Sequence, residues 1–230
     1  MNVLAIETSG RIGGVALVRN GSVAREVRFE KGMEHGRMLV PQLAEICREE
    51  GLRPAEDIDV VAVSIGPGSF TGLRVGIACA KTIAFAGRAK LVGVCSFDAM
   101  AQNAPADERR VCACLDAKRG DVFYGVYRRE GGALTRVEGP AVGKPEALVA
   151  SLERPVRVVG DAAQKYTAVL EAGGICIGSP EEGNVRPGVV GLIGEAMALR
   201  GEYADAKALS PIYLRRPEAD ALDAFRAFNY

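Results

Sequence analysis

Short runs rich in hydrophobic and β-branched residues predict three strands at the start of the chain. They lie at 3–7, 13–19 and 23–29. The second and third are joined by Asn20-Gly21, a dipeptide typical of a two-residue hairpin turn. The second and third strands are therefore expected to form an antiparallel hairpin.

A helix-strand alternation follows this opening. Leu39, Leu43 and Ile46 form one apolar stripe, which predicts a helix over about 36–50. A β-branched run predicts a strand buried on both faces at 60–65. Later patterns predict a helix at 70–86, a strand at 90–94 and a helix from residue 96. The order of the first half is β-β-β-α-β-α-β.

A second series of elements resembles a shortened copy of the first. Strands are predicted at 111–116, 122–128, 134–137, 156–160 and 175–177, with helices at 145–152 and 163–172. An apolar helix is predicted at 189–199. We expect two duplicated α/β lobes, at 1–104 and 105–186, with 187–214 packing back on the first lobe and a C-terminal tail at 215–230.

The glycine-rich turn GPGSFTGLR, at 66–74, joins the buried strand directly to a helix. Gly66 and Gly68 permit positive φ, and Ser69 can cap the helix. A helix N-terminus after such a turn can bind an anion. The Lys and Ser or Thr of a Walker loop are missing after Gly72, so a structural turn or a partner surface is favoured over a nucleotide contact.

The helix predicted at 70–86 is apolar on nearly all sides. Small residues recur at every fourth position, at Gly72, Gly76, Ala80 and Ala84. A helix of this kind is buried on more than one side, either within its own domain or by another protein. It is too short and too interrupted by charge for a membrane span.

Composition narrows the class of protein. The chain has 230 residues, is 48% hydrophobic and has a formal net charge of zero, which argues against binding nucleic acid alone through a general basic surface. A strand begins at once, with no charged leader segment, so we expect a cytoplasmic protein without a membrane anchor. The six cysteines are not spaced as a framework, and we expect buried thiols and no metal site.

Few side chains offer catalytic chemistry. His35 is the single histidine of the sequence, and its place near a helix start favours a capping or surface role over proton transfer. Asp116 and Asp121 flank a charged connection, which is interpreted as a solvated hairpin. Lys118 and Arg119, with Arg215 and Arg216, form small basic clusters that could contribute to an RNA surface shared with a partner.

Several motifs in order give the chain a resemblance to a known family. They are LAIETS, GGVAL, HGRMLVPQL, GPGSFTGLRVG, VGVCSFDAMA, LDAKRGDVFYGVY and PIYLRR. Together they resemble the bacterial TsaB family, once called YeaZ, up to about residue 216. The resemblance implies an α/β fold of two ribonuclease H-like lobes, in the actin-like and sugar-kinase-like ATPase superfamily.

The resemblance also implies a function. Family members take part in forming threonylcarbamoyladenosine on tRNAs that read codons beginning with adenine. They do so as noncatalytic partners of the paralogue TsaD, joined by TsaE. We thus expect a scaffold subunit that pairs with TsaD, forms a homodimer in isolation, and meets tRNA only through the complex. No cofactor is expected in this chain alone, although ATP or ADP could bind in the complex.

These arguments give two sets of candidate residues, one for a nucleotide-binding turn and one for a partner interface. The residual nucleotide-binding turn would comprise Glu7, Thr8, Ser9, Gly66 and Gly68. It is a weak candidate, because the acidic stretch of the catalytic paralogue is replaced here by residues 10–12.

The partner interface is expected on outward faces of the two helices of the first lobe. Its candidate residues are His35, Met38, Gln42, Gly72, Gly76 and Ala80. The alternative function is a stand-alone ATPase or small-molecule kinase. A peptidase is disfavoured, because a helical zinc site needs two histidines.

Overall fold

The computed structural model describes residues 1–29 and 35–215, and at His35 the backbone only. The expected tail, 216–230, therefore lies outside the described residues. The first half of the chain supplies the strands β1 (Asn2–Glu7), β2 (Gly13–Arg19), β3 (Ser22–Phe29), β4 (Val60–Gly66) and β5 (Lys90–Cys95). These strands form a mixed sheet in the order β3-β2-β1-β4-β5.

The second half repeats this topology. Its strands are β6 (Arg110–Lys118), β7 (Asp121–Glu130), β8 (Ala133–Gly143), β9 (Arg157–Val159) and β10 (Cys176–Ile177). Their order, β8-β7-β6-β9-β10, matches the first sheet strand for strand. In each sheet an antiparallel meander is followed by two parallel strands. The two sheets thus have the architecture of a duplicated α/β unit.

Seven α-helices connect the described strands. They are α1 (His35–Glu49), α2 (Phe70–Ala86), α3 (Ser96–Ala101), α4 (Pro145–Ser151), α5 (Asp161–Lys165), α6 (Thr167–Ala172) and α7 (Pro187–Leu199). The single helix predicted at 163–172 is instead two short helices, because Tyr166 leaves helical geometry with φ −109° and ψ 29°. The strand predicted at 134–137 extends over Ala133–Gly143 in the structure, because β8 stays paired with β7 across two register shifts.

Three hydrophobic cores lie between the sheets and the helices that cover them. Alternate residues of β1 and β4, such as Leu4 and Val61, face α1 and α2, whereas Val3 and Ala62 face α7. The core on the α7 side continues through Phe97 of α3 into the second sheet. A third core lies between the second sheet and helices α4 to α6. The two lobes therefore share one continuous apolar interior through α3 and α7.

Helix α7 contacts all five strands of the first sheet. Two glycines permit this close approach: a Cβ on Gly191 would lie 2.5 Å from Cγ2 of Val18, and one on Gly194 would lie 2.4 Å from Cβ of Ala62. Distances this short cannot be accommodated without displacing the helix. Gly191 and Gly194 thus fix the distance between α7 and the sheet.

We expect Gly194→Ala to lower the free energy of unfolding by about 1–3 kcal/mol, because the added methyl group overpacks a closed interface. Gly36→Ala is the matched control, since a Cβ there has no described atom within 4 Å. It should change stability by less than about 0.5 kcal/mol. Urea denaturation of both variants measures the difference, and equal stabilities would contradict the packing argument.

Candidate functional site

The turn after β1 is buried beneath the N-terminal end of α2. Glu7 and Thr8 have no exposed surface, and Ser9 is 4% exposed. The backbone N–H of Ser69 donates to the carbonyl of Ser9 at 2.7 Å, which joins the turn to the start of α2. Residues 7–9 and the glycine-rich turn at 66–69 therefore meet, as the expected nucleotide-binding turn requires.

The carboxyl group of Glu7 occupies the hydrogen-bond donors of its own turn. Its Oε1 accepts from the backbone N–H and the hydroxyl of Ser9, at 2.5 and 2.6 Å, and from the N–H of Gly10 at 3.2 Å. Successive turn N–H groups of this kind can bind an anion such as a phosphate. Here the chain's own carboxyl group takes that position.

Burial raises the pKa of the Glu7 carboxyl above its ordinary value, because desolvation disfavours the charged form. The nearby hydroxyls of Ser64 and Ser9 and the N–H groups of Ser9 and Gly10 oppose this rise without cancelling it. Although close to Glu7, the Ser64 hydroxyl makes no hydrogen bond of acceptable geometry to any described residue. The same holds for Oε2 of Glu7 and Oγ1 of Thr8.

Some donors at and just before the N-terminus of α2 also have acceptors within the protein. The Ser69 hydroxyl accepts from the N–H of Gly72 at 3.2 Å, as expected of a capping residue. The N–H of Gly66 donates to the Ser96 hydroxyl at 3.1 Å. A ligand at this helix end would have to displace groups that already hold β1, α2 and α3 together.

The prediction that Gly72, Gly76 and Ala80 face outward is wrong. All three are buried, and a Cβ on Gly72 or Gly76 would lie 2.0 or 2.2 Å from the carbonyl or hydroxyl oxygen of Thr8. The small residues permit the β1 turn to approach α2 within the same lobe. A sequence pattern cannot tell this close approach from one made by a partner, since both require small side chains.

The turn before α2 also packs closely against the β1 turn, and glycines permit this contact. A Cβ on Gly68 would lie 2.4 Å from the carbonyl oxygen of Ser9. Gly66 has φ +101°, a conformation that favours glycine. Both glycines are thus required by the backbone of the turn, whether or not a ligand ever binds there.

The outward row of α2 is offset from the glycine row. Arg74, Ala78 and Thr82, spaced by four residues, are all exposed. On α1 the exposed row is Gly36, Val40 and Ala44, and Val40 is 61% exposed. Sequence reasoning missed both rows, although the spacing of four residues was available as a signal.

Three interface candidates lie on α1, namely His35, Met38 and Gln42, and the structure describes the side chains of the last two. Met38 and Gln42 are half-buried, and Met38 packs against the core beneath α1. The side chain of His35 lies outside the described residues.

The connection between β6 and β7 carries two paired carboxylates. Asp116 accepts from Nζ of Lys118 and of Lys165, each at 2.9 Å, and its side chain is 7% exposed. The prediction of a solvated hairpin is therefore wrong for Asp116. Desolvation pushes the pKa of Asp116 up, but the hydrogen bonds from the two lysines outweigh it and hold the pKa at about 2.

Asp121 is paired with groups far apart in the sequence. Its carboxylate accepts from Nζ of Lys144 at 2.7 Å and from the guanidinium of Arg215. These two cations, Lys144 first, hold the pKa of Asp121 below its ordinary value. Neither aspartate lies beside a nucleophile in the contacts described, and both act as ion-pair partners.

Within residues 1–29 and 35–215, no three His, Cys, Asp or Glu side chains lie together in a way that could hold a metal ion. The described helices include none that is both long and apolar enough to cross a membrane.

We expect Glu7→Gln to preserve stability at pH 7, because the amide oxygen can accept the three donors that Oε1 of Glu7 accepts. Glu7→Ala should cost at least about 2 kcal/mol, since it leaves buried N–H groups without acceptors. The raised pKa makes the folded protein hold a proton that the unfolded chain releases above about pH 4.3. Wild-type stability therefore falls as pH rises towards the folded pKa, and Glu7→Gln lacks this loss.

Urea denaturation at pH 5 and pH 7 measures the difference between the Glu7→Gln variant and wild type. The expected result is a difference that moves in favour of Glu7→Gln as pH rises. A shift in the opposite direction would mean that the carboxylate is ionised and stabilised by its N–H donors.

Comparisons with known proteins agree with this architecture. The family model for TsaD, described as tRNA N6-adenosine threonylcarbamoyltransferase, matches residues 30–175. The tRNA threonylcarbamoyladenosine biosynthesis protein TsaB of Bacillus subtilis is 29% identical, over 96% of this chain and 97% of its own length. The protein of the same name from Escherichia coli is 36% identical, over 64% of each chain.

Solved structures show the same fold. YeaZ from Pseudomonas aeruginosa superposes with a TM-score of 0.76 at 24% identity, covering 93% of this chain and 99% of that one. A ROK hexokinase from Thermus thermophilus gives a TM-score of 0.51 at 13% identity, over 87% of this chain and 100% of its own. The chain thus has the two-lobed, actin-like and sugar-kinase-like fold that the sequence predicted. From its sequence relatives, its family model and its fold, the chain belongs to the TsaB (YeaZ) family.

Proposed function

We propose that this chain is a noncatalytic subunit in the formation of threonylcarbamoyladenosine on tRNA. In this proposal it pairs with TsaD, and TsaE joins the pair. The observation that carries the noncatalytic role is the occupied turn after β1. Its N–H donors bind the carboxyl group of Glu7, and the carbonyl of Ser9 binds the start of α2. The groups that would hold a phosphate are already used for folding.

The residue inventory supports the same role. The sequence contains one histidine, whereas the family resemblance implies that the catalytic paralogue holds its metal with two histidines on a helix. The same count disfavours a zinc peptidase. Burial raises the pKa of four cysteine thiols above the ordinary value, which makes them poor nucleophiles. These are the buried residues Cys47, Cys95, Cys112 and Cys114.

The exposed rows of α1 and α2 support pairing through this side of the first lobe. Both helices cover the same face of the sheet and contact each other. Gly36, Val40, Ala44 and Ala78 are small or apolar, which permits close approach of partner helices. A specific interface of this kind buries about 1,600 Å² in total. On α2 the proposed contact is therefore the exposed row Arg74, Ala78 and Thr82 and not the buried row Gly72, Gly76 and Ala80.

The same face would allow the chain to form a homodimer when TsaD is absent, and the two pairings would exclude each other. In the complex, tRNA would be contacted through the assembly, and ATP or ADP could bind there. A cytoplasmic location fits a tRNA-modification role.

A test of the function as a whole compares tRNA from cells with and without this chain. We expect loss of threonylcarbamoyladenosine, detected by mass spectrometry of nucleosides, with recovery by wild type and by Glu7→Gln. The likeness to a hexokinase fold favours a stand-alone kinase as the second candidate. Turnover of ATP by the purified chain alone, with normal tRNA modification in its absence, would favour that candidate instead.

A matched pair of valines tests the pairing face. We expect Val40→Lys to weaken binding to purified TsaD at least about tenfold, or about 1.4 kcal/mol, because a buried lysine lacks a partner. Val137→Lys is the control, since Val137 is similarly exposed, at 53%, but lies on β8 of the second lobe. Calorimetric titration measures both affinities.

Both variants should unfold at the wild-type urea concentration, because both side chains are exposed. Equal affinities for the two variants would show that α1 is not part of the contact.

A further inference from the structure

The C-terminal segment 209–215 crosses from one lobe to the other. It begins on the first lobe, where the side chain of Leu209 packs at Gly93 of β5, so that a Cβ there would lie 2.8 Å from Cδ1 of Leu209. The N–H of Ile212 then donates to the carbonyl of Ile65, near the end of β4, at 2.7 Å. The segment is thus anchored at the carboxyl ends of the parallel strands.

Tyr213 fixes the segment to the start of α2. Its hydroxyl accepts from Nε of Arg74 at 3.0 Å, and its ring lies 5.4 Å from that of Phe70. The guanidinium of Arg74 also lies over the Phe70 ring, 3.9 Å from its centre. Three side chains from two distant parts of the sequence therefore form one contact at the first lobe.

Arg215 reaches the second lobe. Its guanidinium donates to the carbonyl of Ala117 at 3.0 Å and pairs with the carboxylate of Asp121. Asp121 begins β7 and also accepts from Lys144. Both ends of the β6–β7 connection are thereby joined to a segment that follows the last helix of the first lobe.

The position of this segment is significant because α/β proteins bind ligands in the crevice outside the carboxyl ends of their parallel strands. The segment lies across that place, beside Gly66 and the N-terminus of α2, before it reaches the second lobe. A Cβ on Gly66 would lie 3.5 Å from the carbonyl oxygen of Ile212. The same segment thus covers the strand ends of the first lobe and reaches the second lobe.

We propose that residues 209–215 form a clasp that joins the two lobes across the crevice, and that the clasp opens from Arg215 inwards, so that release of Arg215 leads to loss of the Ile212 hydrogen bond. The first-lobe end is the stronger anchor, because it combines apolar packing, a backbone hydrogen bond and an aromatic contact. The Arg215 end rests on a partly exposed ion pair and one carbonyl. Exposed ion pairs are weak and are screened by salt.

The clasp belongs to a single chain and does not depend on pairing with TsaD. Amide hydrogen exchange of the full chain tests it, with the N–H of Ile212 as the reporter of the closed state. We expect Arg215→Ala to raise exchange at Ile212 at least tenfold. In wild type, an increase from 50 to 500 mM NaCl should raise the same rate, and in Arg215→Ala it should not.

Arg200→Ala is the matched control. Arg200 is also exposed and ion-paired, but its partner, Glu202, lies in the same loop of the first lobe. Exchange at Ile212 should stay within twofold of wild type in this variant.

Two outcomes would overturn the proposal. One is exchange at Ile212 that is equal in the Arg215→Ala and Arg200→Ala variants. The other is faster exchange in Arg215→Ala without any salt dependence in wild type, because the ion pair would then not govern opening.

Discussion

The close contact between the β1 turn and α2 is the constraint on which the first lobe depends. The carbonyl and hydroxyl oxygens of Thr8 lie where side chains at Gly72 and Gly76 would otherwise be. This contact buries Glu7, so its carboxyl group must satisfy donors inside the protein. The same packing that stabilises the lobe therefore removes the open donors that a phosphate would need.

Helices α3 and α7 convert two similar sheets into one protein. Gly191 and Gly194 let α7 lie directly on the first sheet, and Phe97 of α3 extends the same core to the second. The duplicated topology has diverged in its helices, since the long α2 of the first lobe corresponds to the short α5 of the second. The first lobe consequently offers the larger helical surface for a partner.

Charge is arranged differently in the two strand-end turns. Glu7 is fully buried and its pKa is raised by desolvation, whereas Asp116 is paired with two lysines and its pKa is held at about 2. The first turn is thus held by hydrogen bonds from its own N–H and hydroxyl groups to the Glu7 carboxyl group. The second is held by ion pairs, both local and to distant segments. Arg215 adds to the second group and brings the C-terminal segment to it.

The sequence by itself determined the local elements and the family. Short hydrophobic runs within residues 3–29 predicted three strands, and Asn20 and Gly21 both adopt the positive φ that their hairpin requires. These features depend on neighbouring residues, so a local pattern contains them. The order of seven motifs indicated TsaB before any contact was known.

Only the tertiary structure decided what each face contacts. The small residues of α2 fitted either a partner or the chain's own β1 turn, because both need the same absence of side chains. The burial of Asp116, and the meeting of Arg215 with Asp121, depend on segments about a hundred residues apart or on a neighbouring helix. Such contacts arise from packing between elements, which periodicity within one element does not specify.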